Sequence, residues 1–307
     1  MTDVIVTTRL TKRFKSFLAV NDVTVNVKKG EIYGFLGLNG AGKTTTIRML
    51  LGMIRPTSGA CYLNGKKVSY KENKLWESVG YMVETPASYP ELTVKENLEL
   101  VCRLRQLKDN QAVLRVMDQL KLTPYQYKKA KHLSLGNGQR LGIAKALIHQ
   151  PDILILDEPA NGLDPAGIVE IRELLQNLAY NHGTTIFISS HILSEIAKLA
   201  SKIGIIHNGS LIQEVTTHEL EQLLTKRLLI NASDNHLARS ILANANYRAS
   251  FTVSGALQVT DDRAIVHPEK IAKIMVEAGL PPSMLLMEEE DLESYFLRII
   301  GLKGANV

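Results

Sequence analysis

The sequence predicts an α/β protein built on a mostly parallel sheet, and three observations carry that expectation. A buried strand, "EIYGFLG", runs through a glycine-rich loop into the helix "TTTIRMLLGMI". Two further short apolar runs, "DILILDEP" and "TTIFISSH", are bounded by breaking residues. Between them "IVEIRELLQNLAYNHG" has the spacing of an amphipathic helix. Strands alternating with helices imply βαβ units and a parallel sheet.

The remaining elements follow in chain order. "VIVTTRL" and "AVNDVTVNVKKG" alternate as half-buried strands and predict an antiparallel patch at one edge. The helix after the glycine loop is stopped by Arg55-Pro56-Thr57-Ser58-Gly59. From about Leu92 to Leu133 helical spacing prevails with no convincing strand, which predicts an inserted helical subdomain at about 88–133. "LSLGNGQRLGIAKALIHQ" then opens a helix at Ser134. Beyond about Leu220, "RLLINA", "HLARSILANAN", "RASFTVSG", "ALQVTDD", "HPEKIAKIMVEAGL" and "SMLLMEEE" read as β, α, β, β, α, β, closed by the helix "DLESYFLRIIG". That is the split βαβ order of ferredoxin-like modules. The expected division is 1–220 for the main domain and 221–307 for a small α+β accessory domain.

Composition excludes several classes. Hydrophobic residues at 45% and charged residues at 22% of 307 are those of a folded chain with a full core. No apolar run approaches the roughly 18 to 20 residues needed to cross a bilayer. "MTDVIVTTRLTKRF" lacks a signal peptide's apolar core, so a cytoplasmic chain is expected. Cys61 and Cys102 have no CxxC spacing, which argues against a disulfide framework or a zinc site. The formal charge of +5 is modest, and "YQYKKAKH" reads as a solvated helix end, so no nucleic-acid partner is expected.

The chemistry begins at Gly37-Leu38-Asn39-Gly40-Ala41-Gly42-Lys43-Thr44, which satisfies GxxxxGK[ST] between a strand and a helix. Glycines there let backbone N–H groups close around a β-phosphate, Lys43 reaches the β- and γ-oxygens, and Thr44 offers its hydroxyl to Mg²⁺. Asp157 ends an apolar strand, where a magnesium-positioning carboxylate belongs. Glu158, directly after it, is suited to deprotonate an attacking water. The helix start at Ser134 is a second anion site, made of unpaired N–H groups without a lysine.

With "GLNGAGKTT", "LSLGNGQR", "ILILDEP", "NGLD" and "ISSH" in this order, residues 2 to 220 resemble the ATP-binding subunit of an ABC transporter. The resemblance implies a P-loop NTPase cassette with a RecA-like core, an antiparallel β edge and a helical subdomain. It also implies that two such subunits, as a homodimer or heterodimer, clamp two ATP molecules head to tail while driving a membrane permease from the inner face of the membrane. Residue by residue, Asn39, Gly40, Ala41, Gly42, Lys43, Thr44 and Thr45 bind phosphate, and Phe14 stacks on adenine. Ser134, Gly136 and Asn137 face the nucleotide held by the other subunit. Asp164 communicates between the sites, and His191 contacts the γ-phosphate. Thr44, Asp157 and Glu84 surround Mg²⁺.

Two departures stand out. In the signature stretch, LSGGQ in most of the family, Leu135 replaces the first glycine and Asn137 the glutamine. A leucine pointing away and an asparagine that keeps the amide leave a working site. In "GYMVETPASYP", Glu84 replaces the usual glutamine, and its charge is expected to repel ATP unless Mg²⁺ lies between them. These marks and the tail "LESYFLRIIG" are similar to the branch that exports or protects against bacitracin and lantibiotic peptides. Exporters of ions or drugs and ABC ATPases outside transport are the alternatives.

Overall fold

The computed structural model describes residues 2–69, 72–84 and 88–301, and its contacts divide into two compact units, Met1–Thr217 and His218–Val307. In the first unit, the long strands β1 (Asp3–Phe14) and β2 (Phe17–Lys28) form a hairpin. Their alternating burial puts Val20, Val23, Val25 and Val27 in the core and leaves the intervening polar residues outside. Next come β3 (Ile32–Leu36), α1 (Lys43–Leu50), β4 (Ser58–Leu63), the two-residue β5 (Lys66–Lys67) and β6 (Val79–Met82). The first sheet has the order β2-β1-β4-β5 and is antiparallel throughout.

The helical insertion is lighter than its sequence spacing suggests. It holds α2 (Val94–Leu104), α3 (Ala112–Gln119) and two 3-10 turns. Thr93 starts α2 with a reciprocal cap, its hydroxyl accepting from the Glu96 N–H while Glu96 accepts from the Thr93 N–H. In the basic stretch after α3, Lys129 and Lys131 both pair with Glu91. Then come α4 (Leu135–Leu147), β7 (Ile153–Asp157), α5 (Pro165–His182), β8 (Thr185–Ser190), α6 (Leu193–Ala197), β9 (Lys202–His207) and β10 (Ser210–Thr216).

The second sheet has the order β10-β9-β3-β8-β7-β6 and is parallel except for the β9–β10 pair. Every residue of β3, β7 and β8 is buried, as strands covered on both faces must be, which is why these runs lack alternation. β6 and β9 escape sequence inspection because "VGYM" and "KIGIIH" are short and without clear bounding signals. Register brings the carboxyl ends of three strands level, with Leu36 beside Ser190 and Asp157 beside Ser189. Ligands of open parallel sheets bind at such ends.

The second unit begins within α7 (Thr217–Leu223) and continues with β11 (Lys226–Asn231), α8 (Asn235–Asn244), β12 (Ala249–Phe251), β13 (Leu257–Val259), α9 (Asp262–Val266), α10 (Pro268–Glu277), β14 (Met284–Glu289) and α11 (Leu292–Ile299). The strand order β12-β13-β11-β14, all antiparallel, is what a split βαβ repeat produces. Leu228 and Ile230 pack against Ala238 and Leu242 of α8 and Ile271 and Met275 of α10 in a separate core. The short helix α9 begins on the last residue of "ALQVTDD", read from sequence as strand, and continues through residues 263–266, to which the sequence reading assigned no element; Asp261 caps it by accepting from the Arg263 N–H.

Candidate active site

The glycine loop joins β3 to α1, and its backbone explains its sequence. Gly42 has φ +110°, and a Cβ there would lie 2.6 Å from the Ala19 carbonyl oxygen, so only glycine fits. Around Gly40 a Cβ would meet nothing within 4 Å, which leaves the outer rim of the loop open to a ligand. Because Gly42 caps α1 without a side chain, no side chain competes for the first helical N–H groups. Lys43 is 6% exposed, and its ammonium donates to the Gly37 carbonyl at 2.6 Å and pairs with Glu158 Oε1 at 3.1 Å. Asn39, Gly40 and Ala41 lie in the loop itself, and Thr45 in the first turn of α1.

The strand ends supply the carboxylates. The Thr44 hydroxyl donates to Asp157 Oδ2 at 2.7 Å, and Ser189 Oγ donates to Asp157 Oδ1 at 2.6 Å. Glu158 takes φ +50°, uncommon outside glycine, and each of its polar groups is held. Its N–H donates to Ser189 Oγ at 3.0 Å, its carbonyl accepts from Gln139 Nε2 at 3.2 Å, and Oε2 lies 2.8 Å from His191 Nδ1. Lys43, Asp157, Glu158 and His191 therefore converge from three segments. Ser189 and Gln139 escape sequence reasoning; the only signal is a serine inside "ISSH" and a polar residue on an apolar helix, which burial alone makes informative. Nearby Glu195 has its carboxyl pushed up by burial, with His191 opposing the rise and Glu158 adding to it.

Glu84 lines a cavity of about 300 Å³ with Thr44, Gln139, Asp157, Glu158 and Asn161. Its charge, expected from sequence to stand against phosphate, is instead partnered: Oε1 pairs with Arg48 Nη2 at 2.5 Å, one helical turn beyond Thr44. Thr85, Pro86 and Ala87 of the quoted stretch lie outside the described residues.

The other expected residues gather elsewhere. Ser134 caps α4 by accepting from the Asn137 N–H at 3.3 Å, and Asp164 caps α5 by accepting from the Gly167 N–H at 3.0 Å. With Gly136 these line a second cavity of about 580 Å³, walled also by Arg140 and Glu170, which form an ion pair at 2.7 Å. Leu135 does not turn away from this surface. It is 67% exposed and lies against Gly162. Phe14, at the end of β1, is 46% exposed, with Lys12 Nζ 4.9 Å from its ring centroid.

Oxygen donors from Thr44 and Asp157 suit a hard divalent cation. Among the described residues no cluster of three or more His, Cys, Asp or Glu can hold a metal unaided. The donor set of one hydroxyl and one carboxylate fits Mg²⁺, which uses one or two carboxylates and completes its shell with water and substrate phosphates. Both cysteines are free, and burial pushes the Cys61 thiol up to about 12.

A glycine cradle and a clamped glutamate at the ends of neighbouring parallel strands define a P-loop nucleoside triphosphatase. Comparison with known proteins narrows this class. The family described as ABC transporter matches residues 20–161. The chain is 42% identical to the bacitracin transport ATP-binding protein BcrA of Bacillus licheniformis over 98% of both chains. It is 37% identical to the lantibiotic transport ATP-binding protein SrtF of Streptococcus pyogenes, over 72% of this chain and 95% of that one. In structure it is similar to the dimeric bacterial ABC transporter cassette MJ0796, with a TM-score of 0.64, 26% identity, and coverage of 69% of this chain and 98% of that one. The chain belongs to the ATP-binding subunits of ABC transporters and is an ATPase of that type. Such subunits act with a membrane permease and form dimeric cassettes.

Proposed function

We propose that this chain is one of a pair of cytoplasmic ATPase subunits, bound to the inner face of the membrane through a permease that exports or protects against peptide antibiotics. The observation that carries the catalytic reading is the clamp on Glu158, whose two carboxylate oxygens meet Lys43 and His191. Phe14 stacks on adenine while the loop N–H groups from Asn39 to Thr45 take the phosphates. When Lys43 turns to the β- and γ-oxygens it leaves Glu158 Oε1. That oxygen then accepts a proton from the water that attacks the γ-phosphorus, giving ADP and phosphate. His191 follows the γ-phosphate from the other oxygen. Thr44 and Asp157, with Glu84 at the rim, would hold Mg²⁺, which neutralises charge on the phosphates when bound.

Ser134, Gly136 and Asn137 complete the site of the second copy with the exposed start of α4, and Asp164 lies beside them. The dimeric cassette to which this chain is similar supports that reading. Among the described residues no helix is long and apolar enough to cross a membrane; the naming of BcrA and SrtF as ATP-binding proteins of transport supports a separate permease as partner. A groove of about 850 Å³ in the first unit, where exposed Met53, Tyr81 and Leu104 alternate with Glu77, Arg105 and Gln106, offers a mixed apolar and polar docking surface for it. The peptide substrate class rests on the named activities of BcrA and SrtF together with Glu84 and the altered signature.

The test is complementation. Cells lacking this chain are expected to become sensitive to bacitracin or a lantibiotic, to recover with the wild type and not with Glu158→Gln. The purified variant is expected to bind ATP, dimerise, and hydrolyse about 10² to 10⁴ times more slowly. Undiminished hydrolysis in Glu158→Gln removes the base assignment, and unchanged sensitivity to every peptide tried removes the substrate class alone.

A further inference from the structure

Every residue of the candidate active site lies in the first unit, and the second unit leaves one edge of its own sheet open. β14 ends the order β12-β13-β11-β14, and among the described residues β11 is its one strand neighbour. Their register runs from Met284 to Glu289 without a bulge. The Glu290 N–H donates to the Thr225 carbonyl at 2.8 Å, so in an antiparallel ladder the N–H groups of Leu286 and Glu288 face β11, and those of Leu285, Met287 and Glu289 face outward. "MLLMEE" carries neither proline nor lysine, residues that commonly keep an edge from pairing.

The side chains show what fits beside this edge. Leu285 packs on the core with Leu228 and Ile230, while Leu286 lies opposite Leu229 on the other face and is 51% exposed; Met287 is 38% exposed. Glu288 and Glu289 are already paired with Arg227 and Lys226, so neither charge calls for a basic partner. The missing neighbour is an apolar strand, and β14 is one. Set antiparallel to a second β14 with Leu286 opposite its own copy, Leu285 falls opposite Met287 and Met284 opposite Glu288, and the glutamates stand at opposite ends. An in-register parallel pair would stack glutamate on glutamate.

We propose that β14 pairs antiparallel with β14 of a second copy about a two-fold axis at Leu286, joining the two second units in one continuous sheet. The outward N–H and C=O groups of Leu285 and Met287 in each copy then bond those of the other. The two Leu286 side chains meet across the axis as a non-hydrogen-bonded pair, where facing residues approach most closely. Such a pairing is isologous and needs two identical strands, so it selects a homodimer where the cassette alone admits a homodimer or a heterodimer. From the paired-subunit reading above the proposal takes only that two copies meet.

Sedimentation of the full chain without nucleotide measures the pairing, and circular dichroism checks that each variant folds. Wild type is expected to dimerise without ATP. Met287→Pro, which removes one outward donor from each strand and spares the ladder with β11, should raise the dissociation constant about tenfold or more. Leu286→Lys, which sets like charges across the axis at an exposed position, should act in the same direction. Both should keep the nucleotide affinity of the single copy within about twofold, because the site lies in the other unit. In a Cys102→Ser chain, where Cys61 is buried, Leu286→Cys should form an intersubunit disulfide on oxidation, since the facing Cα atoms would lie about 4.5 Å apart. Glu288→Cys alone should not, whereas a mixture of Met284→Cys and Glu288→Cys chains should. A wild type that pairs only with Mg-ATP and is indifferent to Met287→Pro and Leu286→Lys overturns the inference alone. So does Leu286→Cys that stays uncrosslinked with and without Mg-ATP. A wild type that is monomeric in both conditions overturns the paired reading and this inference with it.

Discussion

Two helix starts in this molecule offer backbone N–H groups to an anion, and they are built in opposite ways. α1 begins at Gly42, in a left-handed conformation with no side-chain cap, and the buried Lys43 follows immediately. α4 begins at Ser134, whose hydroxyl already takes one free N–H, and has no basic residue in its first turn. The first start lies among Asp157, Glu158 and His191, whereas the second is exposed beside a wide cavity. A start with a lysine, a hydroxyl and two carboxylates at hand can hold a phosphate by itself. One with only a hydroxyl, an amide and a partial dipole charge can add to a phosphate that something else holds.

Separating the two starts by mutation sharpens the contrast. Lys43→Ala should abolish ATP binding by the single copy and lower hydrolysis by on the order of 10³, because it removes the charge that holds the phosphates and releases Glu158 from its resting partner. Ser134→Ala should leave single-copy binding intact and lower hydrolysis by about 10², the loss of one donor aimed at the transferring phosphoryl group. Equal loss of single-copy binding in both variants, measured by nucleotide titration, would break the distinction.

A smaller effect is expected at Glu84. The pair with Arg48 is 55% and 40% exposed, so solvent screens it strongly. Arg48→Gln should weaken Mg-ATP binding by about fivefold or less, since the carboxylate near the phosphates loses its counter-charge. Arg48→Gln combined with Glu84→Gln should recover it. Absence of recovery in the double variant would show that Arg48 acts by some route other than its partner.

The smallest effect lies at His149, which lines the groove beside Tyr81 and Leu104. Its Nε2–H donates to the Val79 carbonyl at 3.1 Å, and Nδ1 is buried without a partner. Burial, with Arg105 adding to it, holds the ring down to about 4 from 6.5. The unfolded chain therefore binds this proton first as pH falls, and the stability contributed above pH 6.5 is lost between about 6.5 and 4. His149→Asn should flatten the fall of Tm with pH across that window. An unchanged slope in thermal melts would remove this histidine from the acid response.

Much of the site was legible because phosphate chemistry is local. The run from Gly37 to Thr44 encodes its turn, and Asp157-Glu158 follows an apolar strand, so residue type and short spacing suffice. The helix cap at Ser134 was legible for the same reason, since the acceptor sits three residues from its donor. Ser189, Gln139 and Arg48 were not, because their partners lie 31 to 32, 19 and 36 residues away in sequence. Strands β6 and β9 were missed because short buried strands carry no alternation to read.

By itself the sequence determined the α/β class, the phosphate loop, the acidic pair and the order β, α, β, β, α, β of the second unit, all set by local periodicity and turn chemistry. Tertiary structure alone decided that Glu158 rests between Lys43 and His191, that Glu84 is neutralised by Arg48, and that Leu135 lies on Gly162. These contacts depend on which strand ends and loops the sheet brings level, and the pairing of β3, β7 and β8 is written in no single stretch of the chain.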